Sequence, residues 1–273
     1  MTSFALRWQR RLLAAELVLV VLIVWVVLIS IPLWQGSLSL TSDALNHHIY
    51  LGWEAQSSRF ELDFLAASYQ SYQFPYVYWP AYKLAVSGAS GVVAGVTLAS
   101  LNVLLVPPIW MLARNCMPGR QFFDTVMRIF AVLLAFMTGA ILLLVNTTSN
   151  DLLASIPMAW AVALALSPLD AQRAAWMAPR VSIFLSGLSG GIAVALKLSN
   201  GPIAVLLPVL WLASAREVRP AISRAVLGSA TAMAGFLLAY GYWGYLLTRA
   251  FGNPIFPFYE GQFAFLREAF GWQ

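Results

Sequence analysis

What this sequence most lacks is charge. Asp, Glu, Lys and Arg fill only 10% of its 273 positions while apolar residues fill 60%, a balance that cannot clothe a water-soluble domain and excludes a disordered, solvated chain. Cysteine is nearly absent too. With Cys116 alone, no disulfide can close within the chain and no cysteine-built metal site can form. The two histidines, His47 and His48, are adjacent and point about 100° apart on a helix, which argues against zinc. Mg²⁺ or Mn²⁺ between carboxylates stays open. The sequence has no Walker-type glycine loop, no Ser-His-Asp order and no HExxH. It also shows no internal repeat, heptad array or low-complexity tract. The net charge of +5 is scattered in short groups rather than gathered into a basic stripe, so no nucleic-acid partner is implied.

What is present is long apolar sequence. Residues 12–34 are interrupted only by Glu16 and reach across a hydrocarbon core of about 30 Å at about 1.5 Å per residue. The bulky exit Ser30-Ile31-Pro32-Leu33-Trp34 does not suit signal-peptide cleavage, so this run reads as a retained anchor. Further apolar runs cover residues 92–112, 129–145, 152–167, 182–198, 202–213 and 225–247, making about seven crossings of an all-α, polytopic membrane helix bundle. Lys197-Leu198-Ser199-Asn200-Gly201-Pro202 parts the fifth run from the sixth. A turn at the membrane face suits this stretch, and the alternative is one broken helix buried against neighbours. Gly91/Gly95 and Gly187/Gly191 carry GxxxG spacing, for which close helix packing is sufficient reason. The whole of residues 1–273 reads as a single membrane domain.

Orientation follows from the basic residues. With the N-terminus cytoplasmic, that side receives Arg7, Arg10, Arg11, Arg114, Arg120, Arg128, Arg173, Arg180, Arg216, Arg219 and Arg224, leaving Arg59, Lys83, Lys197, Arg249 and Arg267 outside. Eleven of the sixteen inside agrees with the positive-inside rule. The longest outer connection is then the first, residues 34–82, and functional residues are expected there and in the other outer turns.

On a helix, Asp43, His47, Tyr50 and Glu54 fall at i, i+4, i+7 and i+11 and share one stripe, with Leu45, Ile49, Trp53 and Phe60 on the opposite side. This predicts an amphipathic interfacial helix in the first extracytoplasmic loop, its polar stripe facing either solvent or a cavity where substrate binds. The aromatic segment Tyr69 to Tyr82 suits interface anchoring, and equally stacking on sugars or prenyl chains. Lys83 sits where an ammonium meets a phosphate or snorkels. Asp151 opens the fourth apolar run, where it favours a helix N-terminus. Asn146-Thr147-Thr148 matches a glycosylation acceptor but lies in a turn too tight to serve as one. Lys197 is a costly charge at the membrane boundary, placed to bind an anion or to snorkel. After the last run, Gly252-Asn253-Pro254-Ile255-Phe256-Pro257-Phe258 forms a shaped aromatic loop following Arg249.

In order along the chain, the acidic residue after the first helix, the amphipathic outer loop, Ser149-Asn150-Asp151, the Gly-rich stretch into Leu196-Lys197-Leu198, and Gly252 to Phe258 resemble bacterial GT-C glycosyltransferases of the protein mannosyltransferase and aminoarabinose transferase group. The resemblance spans nearly the whole chain through short, degenerate motifs. It implies a protein of the bacterial inner membrane that takes a sugar from a polyprenyl-phosphate carrier and transfers it, with inversion, to an extracytoplasmic acceptor. It further implies that Asp43 is the first-loop catalytic base and Asp151 the acidic residue of the second outer loop. Lys83, Lys197 and Arg249 are then candidates for stabilising the departing phosphate, with His47, Tyr50 and Glu54 as substrate contacts. Membrane lipids are another implied companion, and a divalent cation (Mg²⁺ or Mn²⁺) stays open as a cofactor. Members of the group generally continue through further membrane helices, whereas this sequence ends at Gln273 just after the proline-rich loop. The rival readings are a transporter or flippase, which would place charge at helix midpoints, and an inactive structural relative.

Overall fold

The computed structural model describes residues 3–170 and 177–271, with side chains from residue 15 onward. Arg173 and the side chains of Arg7, Arg10 and Arg11 lie outside the described residues. Every apolar run is helical. Helix α1 (Ser3–Gln35) is followed by a π-helical turn, Ala44–His48, that runs directly into α2 (Ile49–Glu54). A short extended stretch, Ala66–Tyr69, leads to α3 (Trp79–Val86). Helices α4 (Gly91–Leu101) and α5 (Val106–Cys116) form one rod through a tightened turn, Asn102–Leu105. The tightening falls where Pro107 and Pro108 remove two backbone donors at the start of α5. Then come α6 (Phe122–Phe136), α7 (Gly139–Leu144), α8 (Asp151–Leu166), α9 (Pro179–Leu196), α10 (Gly201–Ala213), α11 (Val218–Phe251) and α12 (Glu260–Phe270).

Five helical segments among the described residues are long and apolar enough to cross a membrane: Ala15–Gln35, Gly91–Cys116, Asp151–Leu169, Pro179–Leu196 and Val218–Phe251. The chain is an all-α, multi-spanning membrane helix bundle. The expected count of about seven is not reached by length, and the reasons are local. The third run breaks at Met137–Thr138 between α6 and α7. The sixth forms α10, whose 13 residues extend only about 20 Å.

Contacts sort the helix ends into two faces. At the loop face, the Ser39 N–H donates to the Asn146 carbonyl at 3.0 Å and Asn146 Nδ2 donates to the Ser37 carbonyl at 2.8 Å. Asn200 Nδ2 there donates to the carbonyls of Ala154 at 3.1 Å and Ala193 at 2.9 Å. Asn146 is thereby buried and engaged, as its place in a tight turn predicts. At the opposite, basal face, Arg114 pairs with Asp170 and Arg128 with Glu16.

The Glu16–Arg128 pair is satisfied at nearly every atom. Arg128 Nε and Nη2 donate to the two Glu16 oxygens at 2.7 Å each, and Nη1 donates to the carbonyls of Met117 at 2.7 Å and Gly119 at 2.8 Å. Trp110 Nε1 and Thr125 Oγ1 donate to the same carboxylate at 2.8 and 3.2 Å. Buried charge is tolerated when paired and hydrogen-bonded in this way, so the one carboxylate in the first apolar run ties α1 to α5 and α6.

Helices α9 and α11 run parallel from the basal face, and glycine lets their backbones touch. A Cβ on Gly187 would lie 2.2 Å from the Gly228 carbonyl oxygen, one on Gly191 1.9 Å from that of Ala232, and one on Gly235 2.2 Å from that of Leu188. Trp211 of α10 closes over Gly228 and donates at 2.9 Å to Ser186 Oγ, which donates in turn to the Ala161 carbonyl at 2.6 Å. The GxxxG spacing is therefore used for packing, and Gly95 likewise faces Pro32 of α1.

Candidate functional site

The break between α9 and α10 supplies the first element of the site. Pro202 lies at the start of α10, and Lys197, just past α9, takes extended backbone geometry with φ −154° and ψ 111°. This throws its side chain toward the N-terminus of α8, where the ammonium pairs with Asp151 and donates to Asn150 Oδ1 at 3.1 Å. Ser149 Oγ donates to the other Asp151 oxygen at 2.7 Å. Both charges keep contact with solvent, Lys197 at 31% and Asp151 at 50% exposure.

The first loop supplies the second element. An α-helical stripe would carry His47 inward and turn His48 away. The wider π-turn over Ala44–His48 buries both, each at 4% exposure. His48 Nδ1 is hydrogen-bonded to Thr148 Oγ1 at 2.7 Å, and its ring stacks on Tyr78 with centroids 4.7 Å apart. His47 meets His48 edge-on at 4.4 Å, and its Nδ1 is buried without a hydrogen-bond partner. Asp43 caps the turn, exposed and making no side-chain cap bond. Burial, then the neighbouring His47, pushes His48 down to about 4 against the opposing pull of Asp43. Burial, then Asp151 and Asp43, pushes the Tyr78 hydroxyl up. Both carboxylates act on both rings, so Asp43, His47, Asp151 and Lys197 belong to one neighbourhood.

Beside it lies a cavity of about 160 Å³. Tyr72 and Phe74 of the first loop, Tyr240 of α11, and Phe256 and Phe258 of the last loop wall it, while Asn150 and Lys197 stand at its rim. The last loop is held by Asn253, which is fully buried. Its Nδ2 donates to the Phe258 carbonyl at 3.0 Å and to Glu260 Oε2 at 2.9 Å, and its Oδ1 accepts from the Ile255 N–H at 3.0 Å. Phe256 then packs on Tyr72 at 4.8 Å and on Phe251 at 4.2 Å. The aromatic segment of the first loop is thus more than an interfacial anchor, since Trp243 Nε1 of α11 also donates to the Tyr72 carbonyl at 3.3 Å.

The polar stripe of the first loop does not stay together. Tyr50 and Glu54 form a second group, in which Tyr50 donates to Asp63 Oδ2 at 3.2 Å. Arg59 pairs with Asp63 and lies 3.8 Å over the Trp53 ring. Glu54 is 2% exposed and its Oε2 has no partner. Burial, then the charge of Asp63, pushes its carboxyl up to about 8 against Arg59, so Glu54 is protonated at neutral pH. The opposite side is also rearranged: Leu45 is 73% exposed, whereas Phe60 leaves the helix face and packs against Tyr72, Trp243 and Phe251. Lys83 is exposed on α3, donating to Gln56 Oε1 at 3.0 Å, and Arg249 is exposed in the last turn of α11. Neither lines the aromatic cavity.

The sequence shows His48, Thr148 and Asn150 within short motifs and Tyr78 within the aromatic segment, but gives none of them a place in the site. Their signal was position, since each neighbours a predicted site residue or sits in the aromatic segment. Among the described residues no three His, Cys, Asp or Glu side chains come together as a metal-ligand group. Asp151 instead has an ammonium for its partner, so the residues do not fit a divalent cation. Compared with known proteins, the chain matches no family model, no curated sequence and no solved structure.

Proposed function

We propose that this chain is an integral-membrane glycosyltransferase that moves a sugar from a polyprenyl-phosphate carrier to an acceptor at its loop face, with inversion. The observation that carries the reading is the Lys197–Asp151 pair, whose lysine lines an aromatic-walled cavity, with the charge of Asp43 acting beside that of Asp151 on His48 and Tyr78. Aromatic walls suit an isoprenoid chain or a sugar face, and an ammonium at the polar end suits the phosphate joined to it.

In this mechanism Asp43, unengaged by capping, accepts the proton of the acceptor hydroxyl as that oxygen attacks the anomeric carbon. The bond from the anomeric carbon to the phosphate oxygen breaks, and the phosphate leaves with the electron pair. Lys197 stabilises that developing charge, while Asp151 and Asn150 hold the ammonium in place. No step passes through a metal.

The reading carries a topology. The loop face is the outer side of a bacterial inner membrane, the N-terminus is cytoplasmic, and the α6–α7 pair and α10 complete seven crossings. The eleven basic residues assigned to the cytoplasmic side support this. The test is release of polyprenyl phosphate from a panel of polyprenyl-phosphate-linked sugars in proteoliposomes. Asp43→Asn is expected to lower turnover at least about a hundredfold. Undiminished transfer by that variant removes Asp43 as the base, and no release from any donor sinks the function.

A further inference from the structure

At the basal face, far from the aromatic cavity, the parallel helices α9 and α11 part below their contact at Gly187 and Gly228. A cavity of about 470 Å³ opens there, lined by the apolar Pro220 and Leu227 and by Arg180, Arg219, Arg224, Ser223 and Glu217. Three guanidinium groups against one carboxylate leave the cavity with a net positive lining. Arg224 is anchored, its Nη1 donating to the Ser214 carbonyl and, at 3.0 Å, to Ser214 Oγ. Arg180 and Arg219 are exposed in the first turns of their helices, so among the described residues their planar forks are open to bidentate contact. Val218, Ile222 and Val226 are exposed along the adjoining side of α11, an apolar strip continuing from the charged mouth along a helix that spans the membrane.

We infer that this cavity binds a phosphate group, and specifically the phosphodiester headgroup of an anionic phospholipid. Guanidinium groups match phosphate oxygens bidentately, and basic cavities between membrane helices are suited to anionic headgroups. The apolar strip on α11 gives the acyl chains a surface at the right depth, which a free phosphate ion would not need. Glu217 disfavours a dianion and suits the single charge of a diester. The inference does not depend on the glycosyltransferase reading, because it concerns a different end of the bundle.

The experiment is native mass spectrometry and fluorescence titration of the full chain in detergent, with phosphatidylglycerol, phosphatidylcholine and inorganic phosphate as separate probes. Phosphatidylglycerol is expected to bind saturably and in preference to phosphatidylcholine. The double variant Arg180→Gln/Arg219→Gln should weaken that binding about 30-fold, while Lys83→Gln at the other face leaves it unchanged. Should inorganic phosphate bind as tightly with the same two-arginine dependence, the phosphate site stands and the lipid assignment is overturned. Equal binding of the two lipids, or phosphatidylglycerol binding indifferent to the double variant, overturns the site. Both arginines are exposed, and a melting curve of the variant matching the parent establishes that lost binding is not lost folding.

Discussion

Lys197 and Asp151, 46 positions apart, are paired across the gap between the end of α9 and the start of α8, and Asn150 accepts a second hydrogen bond from the same ammonium at 3.1 Å. The pair is half open to solvent, so its contribution to stability is small, at most about 1 kcal/mol. Lys197→Met should therefore leave the melting temperature nearly unchanged while lowering sugar transfer about a hundredfold. Initial rates and thermal unfolding on the same preparation check this. Full activity would reduce the pair to a tie between two helix ends.

Glu54 makes stability depend on pH. Its folded carboxyl titrates at about 8 against an ordinary value of 4.5, so between those values the native state holds a proton that the unfolded chain has released, and stability falls as pH rises. His48 has the opposite sign: it titrates at about 4 when folded against 6.5, so stability falls as pH drops from 6.5. The two slopes offset each other between 4.5 and 6.5, leaving Glu54 to dominate from 6.5 to 8. Thermal unfolding in detergent should show a loss approaching about 1.4 kcal/mol per pH unit in that upper window, and Glu54→Gln should flatten it. A parent protein already flat there would contradict the buried, protonated carboxyl.

Backbone contact between α9 and α11 leaves no room at Gly191. Gly191→Val is expected to cost about 3 kcal/mol or more, since the obstacle is the Ala232 carbonyl rather than a movable side chain. Gly241→Ala on α11 faces open space and should stabilise by about 1 kcal/mol through helix propensity. Unfolding of the two variants under identical conditions gives the comparison.

Topology can be read through the single native thiol. Cys116 is exposed at the basal end of α5. In intact cells a membrane-impermeant maleimide should leave it unmodified, and should modify Cys116→Ala/Ser42→Cys, whose thiol stands on the loop face. The reverse pattern inverts the proposed orientation.

Much of the architecture was legible because it follows from local sequence. Apolar runs became helices, the Lys197–Pro202 segment became a turn, and Gly187 and Gly191 became a packing seam. The candidate site was legible only in part, and its partnerships were not. Nothing near Asp151 in sequence announces Lys197, and nothing around Glu54 announces its burial. A stripe drawn at the α-helical period could not anticipate a π-turn at Ala44–His48, which brings both histidines inward and separates Asp43 and His47 from Tyr50 and Glu54. Lys83 and Arg249 looked equivalent to Lys197 as cations at the outer boundary, and only tertiary contacts distinguish them.

The aromatic cavity takes Tyr72 and Phe74 from the beginning of the chain and Phe256 and Phe258 from its end. A ribosome makes these segments about 180 residues apart, so the two halves of the wall meet only after α11 has been inserted and Asn253 has folded the last loop. The wall of this cavity is thus completed only once α11 and the loop after it are in place. A chain stalled between α8 and α11 would carry Asp43 and Asp151 without the aromatic walls of the cavity.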